Sequence, residues 1–126
     1  MKNLVLVLML AAGTAAFAGR TAPVYTGHVD VGSNKSLEQI ESAIRKGLVA
    51  KRWVVEDSKK GEIIAKVMVR KHVAKVKITY NKDKVTIAYM DSVNLNYEEK
   101  GGEPYIHGNY NRWIQHLEQH ITANLF

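Results

Sequence analysis

The sequence predicts an α+β domain, with a four- or five-stranded antiparallel sheet and two helices packed on one face of it. Two segments, residues 37–48 and 113–125, place apolar residues at three- and four-residue spacing, which is typical of helices. Between them, apolar and polar residues alternate, which is typical of strands. Short turns separate the alternating stretches, so neighbouring strands should pair antiparallel. The predicted order is β-α-β-β-β-β-α.

The first strand is predicted at Val24–Val31, and residues 32–35 form a turn. Ser36 then has the position of a helix N-cap, and Gln39 three residues later completes a capping box. The first helix buries a stripe made of Leu37, Ile40, Ala43, Ile44, Gly47 and Leu48.

Four strands follow, at residues 53–56, 62–70, 73–80 and from 85 onward. Their inward residues are predicted from the two-residue period: Ile63, Ala65, Val67, Val69, Ala74, Val76, Ile78, Tyr80, Val85, Ile87 and Tyr89. Residues 81–84 form a hairpin loop between the last two strands.

Ser92–Gly108 has no sustained period, and we expect a long irregular connector, which in a compact domain is either mobile or functional. The last helix should begin at a cap formed by Asn109 or Asn111. Its apolar stripe is Trp113, Ile114, Leu117, Ile121 and Leu125.

The N-terminus has the pattern of an export signal. Lys2 precedes an apolar run, and Ala16-Phe17-Ala18 places small residues before Gly19. We therefore expect a signal peptide at residues 1–18, cleavage after Ala18, and a periplasmic domain at residues 19–126. The apolar run is short for a membrane anchor, so no transmembrane segment is expected after cleavage.

Composition narrows the function classes. There is no cysteine, which excludes a lipid-bearing Cys after the cleavage site and any Cys-ligated metal or haem. The formal net charge is +6, one unit of which belongs to Lys2. A basic exported domain is attracted to anionic lipid, lipopolysaccharide or another polyanion.

Polar and aromatic residues are concentrated around the irregular connector. One interpretation is a ligand site in which aromatic rings stack on a ligand and amides hydrogen-bond to it. The other is structural: Asn side chains fix the loop backbone, and the aromatics anchor it in the core. The candidate ligand-binding residues are Asp91, Ser92, Asn94, Asn96, Tyr97, His107, Asn109, Tyr110, Asn111 and Trp113.

The segments DSVNLNY (91–97) and IHGNYNRWI (106–114) resemble a family of small, uncharacterised Gram-negative envelope proteins with the pattern DSxNLNY…IHxNYNxWIxxLxxxI. Residues 70–80 and the entry Ala22-Pro23-Val24-Tyr25 fit the same family. Many members are lipoproteins, and this chain departs from them by lacking the lipid-bearing Cys. The resemblance implies an envelope location and no particular activity. The predicted topology is also similar to TATA-binding-protein-like and helix-grip folds, a similarity that implies no function.

A second candidate surface is basic. Lys66, Arg70, Lys75 and Lys77 should share the sheet face away from the helices, where they could contact anionic lipid or lipopolysaccharide. The alternative is an ordinary solvated face kept soluble by lysines. No aromatic residue alternates with these lysines, so nucleic acid is not the expected partner.

Catalytic and metal sites are poorly supported. Asp91, Ser92 and His107 are the residue types of a hydrolytic triad, but Ser92 lacks a G-x-S-x-G context. His116 and His120 lie four residues apart on the last helix without an evident third ligand. We therefore expect no cofactor, no metal and no catalytic residue.

The prediction is an exported, non-enzymatic binding or accessory protein of the envelope, engaging an anionic component or a partner protein. The alternatives are a small hydrolase using Ser92 or His107 and a weak divalent-metal binder using His116 and His120.

Overall fold

A computed structural model describes residues 20–126, which form eight strands and two helices. The predicted signal peptide lies outside the described residues. The elements in chain order are β1 (Thr21–Pro23), β2 (Gly27–Asp30), α1 (Leu37–Ala50), β3 (Val54–Lys59), β4 (Glu62–Val69), β5 (His72–Tyr80), β6 (Lys84–Val93), β7 (Glu98–Lys100), β8 (Glu103–His107) and α2 (Gly108–Leu125).

The predicted fold class is confirmed. Strands β2, β6, β5, β4 and β3 form, in that order, one antiparallel five-stranded sheet. One hydrophobic cluster contains most of the apolar stripes of both helices and most of the inward residues of β4, β5 and β6, and Leu37, Tyr89 and Trp113 pack against it. Burying this apolar surface is the main force that stabilises the arrangement. The face of the sheet away from the helices is called the outer face below.

Alternation in the central strands sets which residues enter the core. Ala74, Val76 and Ile78 of β5 are fully buried. Lys77, between Val76 and Ile78, and Thr79, after Ile78, are exposed. The alternation shifts at two bulges, where Glu56 in β3 and Met90 in β6 are extra residues in the pairing. Val69, predicted to face the core, is 38% exposed because it is the last residue of β4.

The start of α1 is as predicted. The Ser36 hydroxyl accepts a hydrogen bond from the Gln39 backbone N–H, and the Gln39 side chain accepts from the Ser36 N–H, which completes the capping box. The two helices approach closely at Gly47, where a Cβ would lie 2.9 Å from Cγ1 of Ile121. Neither helix of residues 20–126 is long and apolar enough to cross a membrane.

A second, three-stranded sheet corrects two predictions. The segment 92–108 is not irregular throughout, because β7 and β8 form a hairpin there and β1 pairs with β8. The hairpin was missed because β7 is wholly exposed and polar and β8 contains Pro104. The first strand, predicted at Val24–Val31, begins only at Gly27, because the Tyr25 N–H donates to the Asn111 side chain at 3.0 Å instead of to a strand.

The cap of α2 is a further correction. His107 occupies the N-cap position, and its Nδ1 accepts a hydrogen bond from the Asn109 N–H at 3.0 Å. Asn111 cannot act as the cap, because its amide is bound to the Pro23 carbonyl and its oxygen to the Tyr25 N–H.

Candidate functional site

Two of the lysines predicted to form a basic sheet face share one acidic partner there. Lys66 and Lys75 are cross-strand neighbours on the outer face, and both form ion pairs with Glu56, with N–O distances of 3.3 and 3.0 Å. The hydrogen bond from Lys75, followed by that from Lys66, lowers the pKa of the Glu56 carboxyl below its ordinary value. Asp91 lies directly across from Lys75. Lys77 remains exposed farther along the face, so the surface is not a continuous cationic platform.

Arg70, the fourth residue predicted for this face, lies elsewhere. Val69 pairs with His72, and the chain between them reverses direction at Arg70 and Lys71. Arg70 has a φ of 57°, in the left-handed region that residues with a Cβ seldom adopt. The two basic residues therefore project from the turn between β4 and β5, at one end of the sheet.

This turn is held by the segment that follows β6. The Asn94 side-chain amide donates to the Lys71 carbonyl at 2.9 Å. In return, the Asn94 carbonyl accepts from Nδ1 of His72 at 2.6 Å. Since a carbonyl only accepts, Nδ1 of His72 donates this hydrogen bond.

Between these two segments lies a cleft of about 450 Å³, called the turn cleft. Its lining consists of Arg70, Lys71, His72, Asn94 and Asn96. Both Asn residues are left-handed, with φ values of 61° and 56°. Three of the four non-glycine residues with positive φ in residues 20–126 thus line one cleft. Asparagine tolerates this conformation, so the strain falls on Arg70, and strained backbone is concentrated at functional sites.

Leu95, between the two asparagines, fixes their segment to the core. Its side chain is only 1% exposed, and its carbonyl accepts a hydrogen bond from the His107 N–H at 2.8 Å. The apolar side chain therefore points inward, and the Asn residues on either side line the cleft. In the pattern Asn-Leu-Asn, the apolar residue is therefore held in the core and the two polar residues are held at the surface.

The turn cleft is electropositive. Within residues 20–126, Arg70 and Lys71 form no ion pair, and no acidic residue lines the cleft. A guanidinium, an ammonium and asparagine amides all donate hydrogen bonds. The arrangement suits an anionic ligand with several acceptor oxygens, such as a phosphate ester.

Two of the aromatic candidates, Tyr97 and Tyr110, contact the ring of Tyr89. The Tyr97 and Tyr89 rings are parallel with centroids 4.4 Å apart, and Tyr110 meets Tyr89 edge-on at 5.6 Å. Tyr110 is fully buried, and its hydroxyl has no partner among the described residues. Burial raises the pKa of the Tyr110 phenol. These contacts match the structural interpretation of the aromatics.

The remaining candidates on α2 also have structural partners. Asn109 accepts a hydrogen bond from the Arg112 guanidinium, and Asn111 holds the β1–β2 connection as described above. Trp113 packs against the hydrophobic core and lines a smaller cleft with Trp53. Of the ten candidate ligand residues, only Asn94 and Asn96 line the turn cleft, where they meet Arg70 from the other candidate surface.

Asp91, Ser92 and His107 do not form a triad in this structure. Asp91 lies on the outer face across from Lys75, whereas Ser92 lies across from the core residue Ala74. The Ser92 hydroxyl shares a 2.7 Å hydrogen bond with the Tyr89 hydroxyl, and Nδ1 of His107 is occupied by the α2 cap. No geometry for activating Ser92 is present among them.

No group of three potential metal ligands occurs within the described part of the chain, so His116 and His120 lack a third partner there. Glu118 is committed elsewhere: one of its oxygens accepts from the Tyr25 hydroxyl and from the His28 N–H, both at 2.7 Å. The hydrogen bond from the Tyr25 hydroxyl to Glu118 is also the main cause of the raised pKa of Tyr25.

Sequence reasoning did not single out His72 and Lys71 as site residues. The available signal was the run Arg70-Lys71-His72 at a strand end, which becomes a turn only once Val69 is known to pair with His72. Searches of family models, curated proteins and solved structures each found nothing that matches this chain. The resemblance to the envelope family therefore stays a prediction.

Proposed function

We propose that the chain is an exported, envelope-associated binding protein that holds the phosphate group of an anionic envelope component in the turn cleft. The observation that supports this most is the convergence of Arg70, Lys71 and His72 with two left-handed asparagines around one cleft. Export itself rests on the signal pattern of residues 1–18.

The distribution of charge favours the cleft over the centre of the outer face. Binding a phosphate near Lys66 and Lys75 would compete with their ion pairs to Glu56. Arg70 and Lys71 have no such partner within residues 20–126, so a ligand there displaces only water. A bound phosphate would meet a planar guanidinium that can donate two parallel hydrogen bonds.

Calorimetric titration of the processed protein with glycerol 1-phosphate tests the proposal. The substitution Arg70→Asn removes the charge and keeps a residue that tolerates left-handed backbone. We expect this variant to bind about tenfold more weakly, because one charge-assisted hydrogen-bonding group is lost. Binding should also weaken as salt is added.

The matched control is Lys82→Asn, which makes the same change of charge in the exposed turn between β5 and β6. It should bind like the unsubstituted protein. Equal losses in both variants would show that glycerol phosphate responds to net charge alone, and the proposed site would be wrong. Inorganic phosphate and a lipopolysaccharide phosphosugar, titrated in parallel, separate the possible sources of the phosphate.

A further inference from the structure

The outer face has an exposed apolar row at the same end as the turn cleft. Met68, Val73 and Val93 are cross-strand neighbours on β4, β5 and β6, and we call them the apolar row. Met68 is 65% exposed and Val93 is 53% exposed. Exposed single apolar residues are ordinary, but three in register across three strands form a patch.

The rows of the outer face differ in kind. The next row toward the middle of the sheet contains Lys66, Lys75 and Asp91, with Glu56 bound to both lysines. The row beyond it contains Lys77, and the following one contains Glu62, Thr79 and Thr86. Only the row nearest the β4–β5 turn is apolar throughout.

Basic residues lie on both sides of the apolar row, and among residues 20–126 those on the turn side, Arg70 and Lys71, form no ion pair. Met68 is separated by one residue from Arg70 of the β4–β5 turn. Lys66 and Lys75 lie on the other side, one row away. An apolar patch bordered by cations complements an anionic bilayer surface, where lipid phosphates lie just outside the apolar acyl chains.

We propose that the apolar row docks on an anionic lipid bilayer, so that the phosphate held in the turn cleft is that of a lipid headgroup. This inference rests on the proposed function of the cleft and identifies the source of its ligand. Met68 and Val93 enter the interface between headgroups and acyl chains, while Arg70 and Lys71 contact phosphates beside them. Binding is reversible and peripheral, because the apolar area is small.

The test is flotation of the processed protein with vesicles of phosphatidylcholine alone or of equal parts phosphatidylglycerol and phosphatidylcholine. The protein should float with the anionic vesicles and not with the neutral ones. The double substitution Met68→Ser and Val93→Ser should lower the partition coefficient about tenfold, because less apolar surface enters the interface. Calorimetry with glycerol 1-phosphate should give the unsubstituted affinity for this variant, which also shows that it is folded.

The matched control is Val49→Ser, which changes an apolar residue of α1 that is 74% exposed. It should partition like the unsubstituted protein. Unchanged flotation of the Met68/Val93 variant, or equal flotation with neutral vesicles, would overturn the inference. A dimer seen by light scattering that the double substitution dissociates would also overturn it, since a second copy would then cover the row.

The two proposals fail in different ways. If glycerol phosphate binds but no vesicle does, lipid docking is wrong and the cleft assignment stands. If the protein binds vesicles through Met68 and Val93, but Arg70→Asn changes neither assay, the cleft assignment is wrong. The statement that the cleft holds a lipid headgroup is then wrong as well.

Discussion

The turns at the two ends of β5 are stabilised by different hydrogen bonds. At its Tyr80 end, the Asn81 side chain accepts hydrogen bonds from the Asp83 and Lys84 N–H groups, at 2.8 and 3.0 Å. At its His72 end, the turn contains a left-handed Arg70, and two of its hydrogen bonds are made with Asn94, more than twenty residues away.

The first turn is held mainly by its own Asn81 side chain, and its Asp83 carbonyl also accepts a hydrogen bond from the Val31 N–H at 2.9 Å. The second has strained backbone, two cations without an acidic partner in residues 20–126, and an apolar row beside it. Backbone strain and unpaired charges lower the stability of the fold, and such features are expected at ligand-binding sites. This contrast is why we propose that the binding surface lies at the His72 end of the sheet.

The largest effect should come from removing the anchor of the second turn. Leu95→Ala deletes a fully buried side chain and should lower the free energy of unfolding by about 2–5 kcal/mol, as core truncations do. Binding of glycerol phosphate should fall as well, because Asn94 and Asn96 lose their fixed positions. Urea denaturation and calorimetry measure the two quantities.

Val49→Ala, at an exposed site, should change stability by less than about 0.5 kcal/mol. An equally small effect for Leu95 would mean that the loop is not anchored as described.

A smaller effect of opposite sign is expected at Arg70. Arg70→Gly should raise the free energy of unfolding by about 0.5–1 kcal/mol, because glycine adopts positive φ without the steric cost of a Cβ. The same variant should bind glycerol phosphate more weakly.

Arg52 provides the matched control for this variant. It has a φ of 66° just after α1, where the Trp53 N–H donates to the Leu48 carbonyl and glycine is the usual residue. Arg52→Gly should give a similar gain in stability without a change in binding. A loss of stability in Arg70→Gly would contradict the account of strain at the turn.

The smallest effect concerns Glu56 and its dependence on pH. Because its pKa is lowered in the folded protein, ionised Glu56 stabilises the fold above the ordinary value of 4.5, and this stabilisation is lost as the pH falls through the lower folded pKa. Glu56→Gln should therefore have a lower melting temperature than the unsubstituted protein at neutral pH, and the difference should shrink in acid. The variant should also float more strongly with phosphatidylglycerol vesicles, since Lys66 and Lys75 lose their partner. A difference that does not depend on pH would argue against the ion pairs.

Periodicity predicted the central strands and both helices, because burial of alternate or stripe positions is what forms them. It failed for β7 and β8, whose pairing depends on β1 and on a turn of two left-handed glycines rather than on apolar residues. The turn cleft was also beyond prediction. Arg70 continues the alternation of β4 in sequence, and only the pairing of Val69 with His72 moves it into a turn. The contact between Lys71 and Asn94 spans two strands and leaves no local pattern.

The most direct test of the central claim is a two-dimensional amide NMR titration of the processed protein with glycerol 1-phosphate. The account predicts that the largest shift changes occur at residues 70–72 and 94–96, and that the turn at residues 81–84 does not respond. Shifts centred on Lys66, Lys75 and Lys77, or spread evenly over the basic residues, would contradict it.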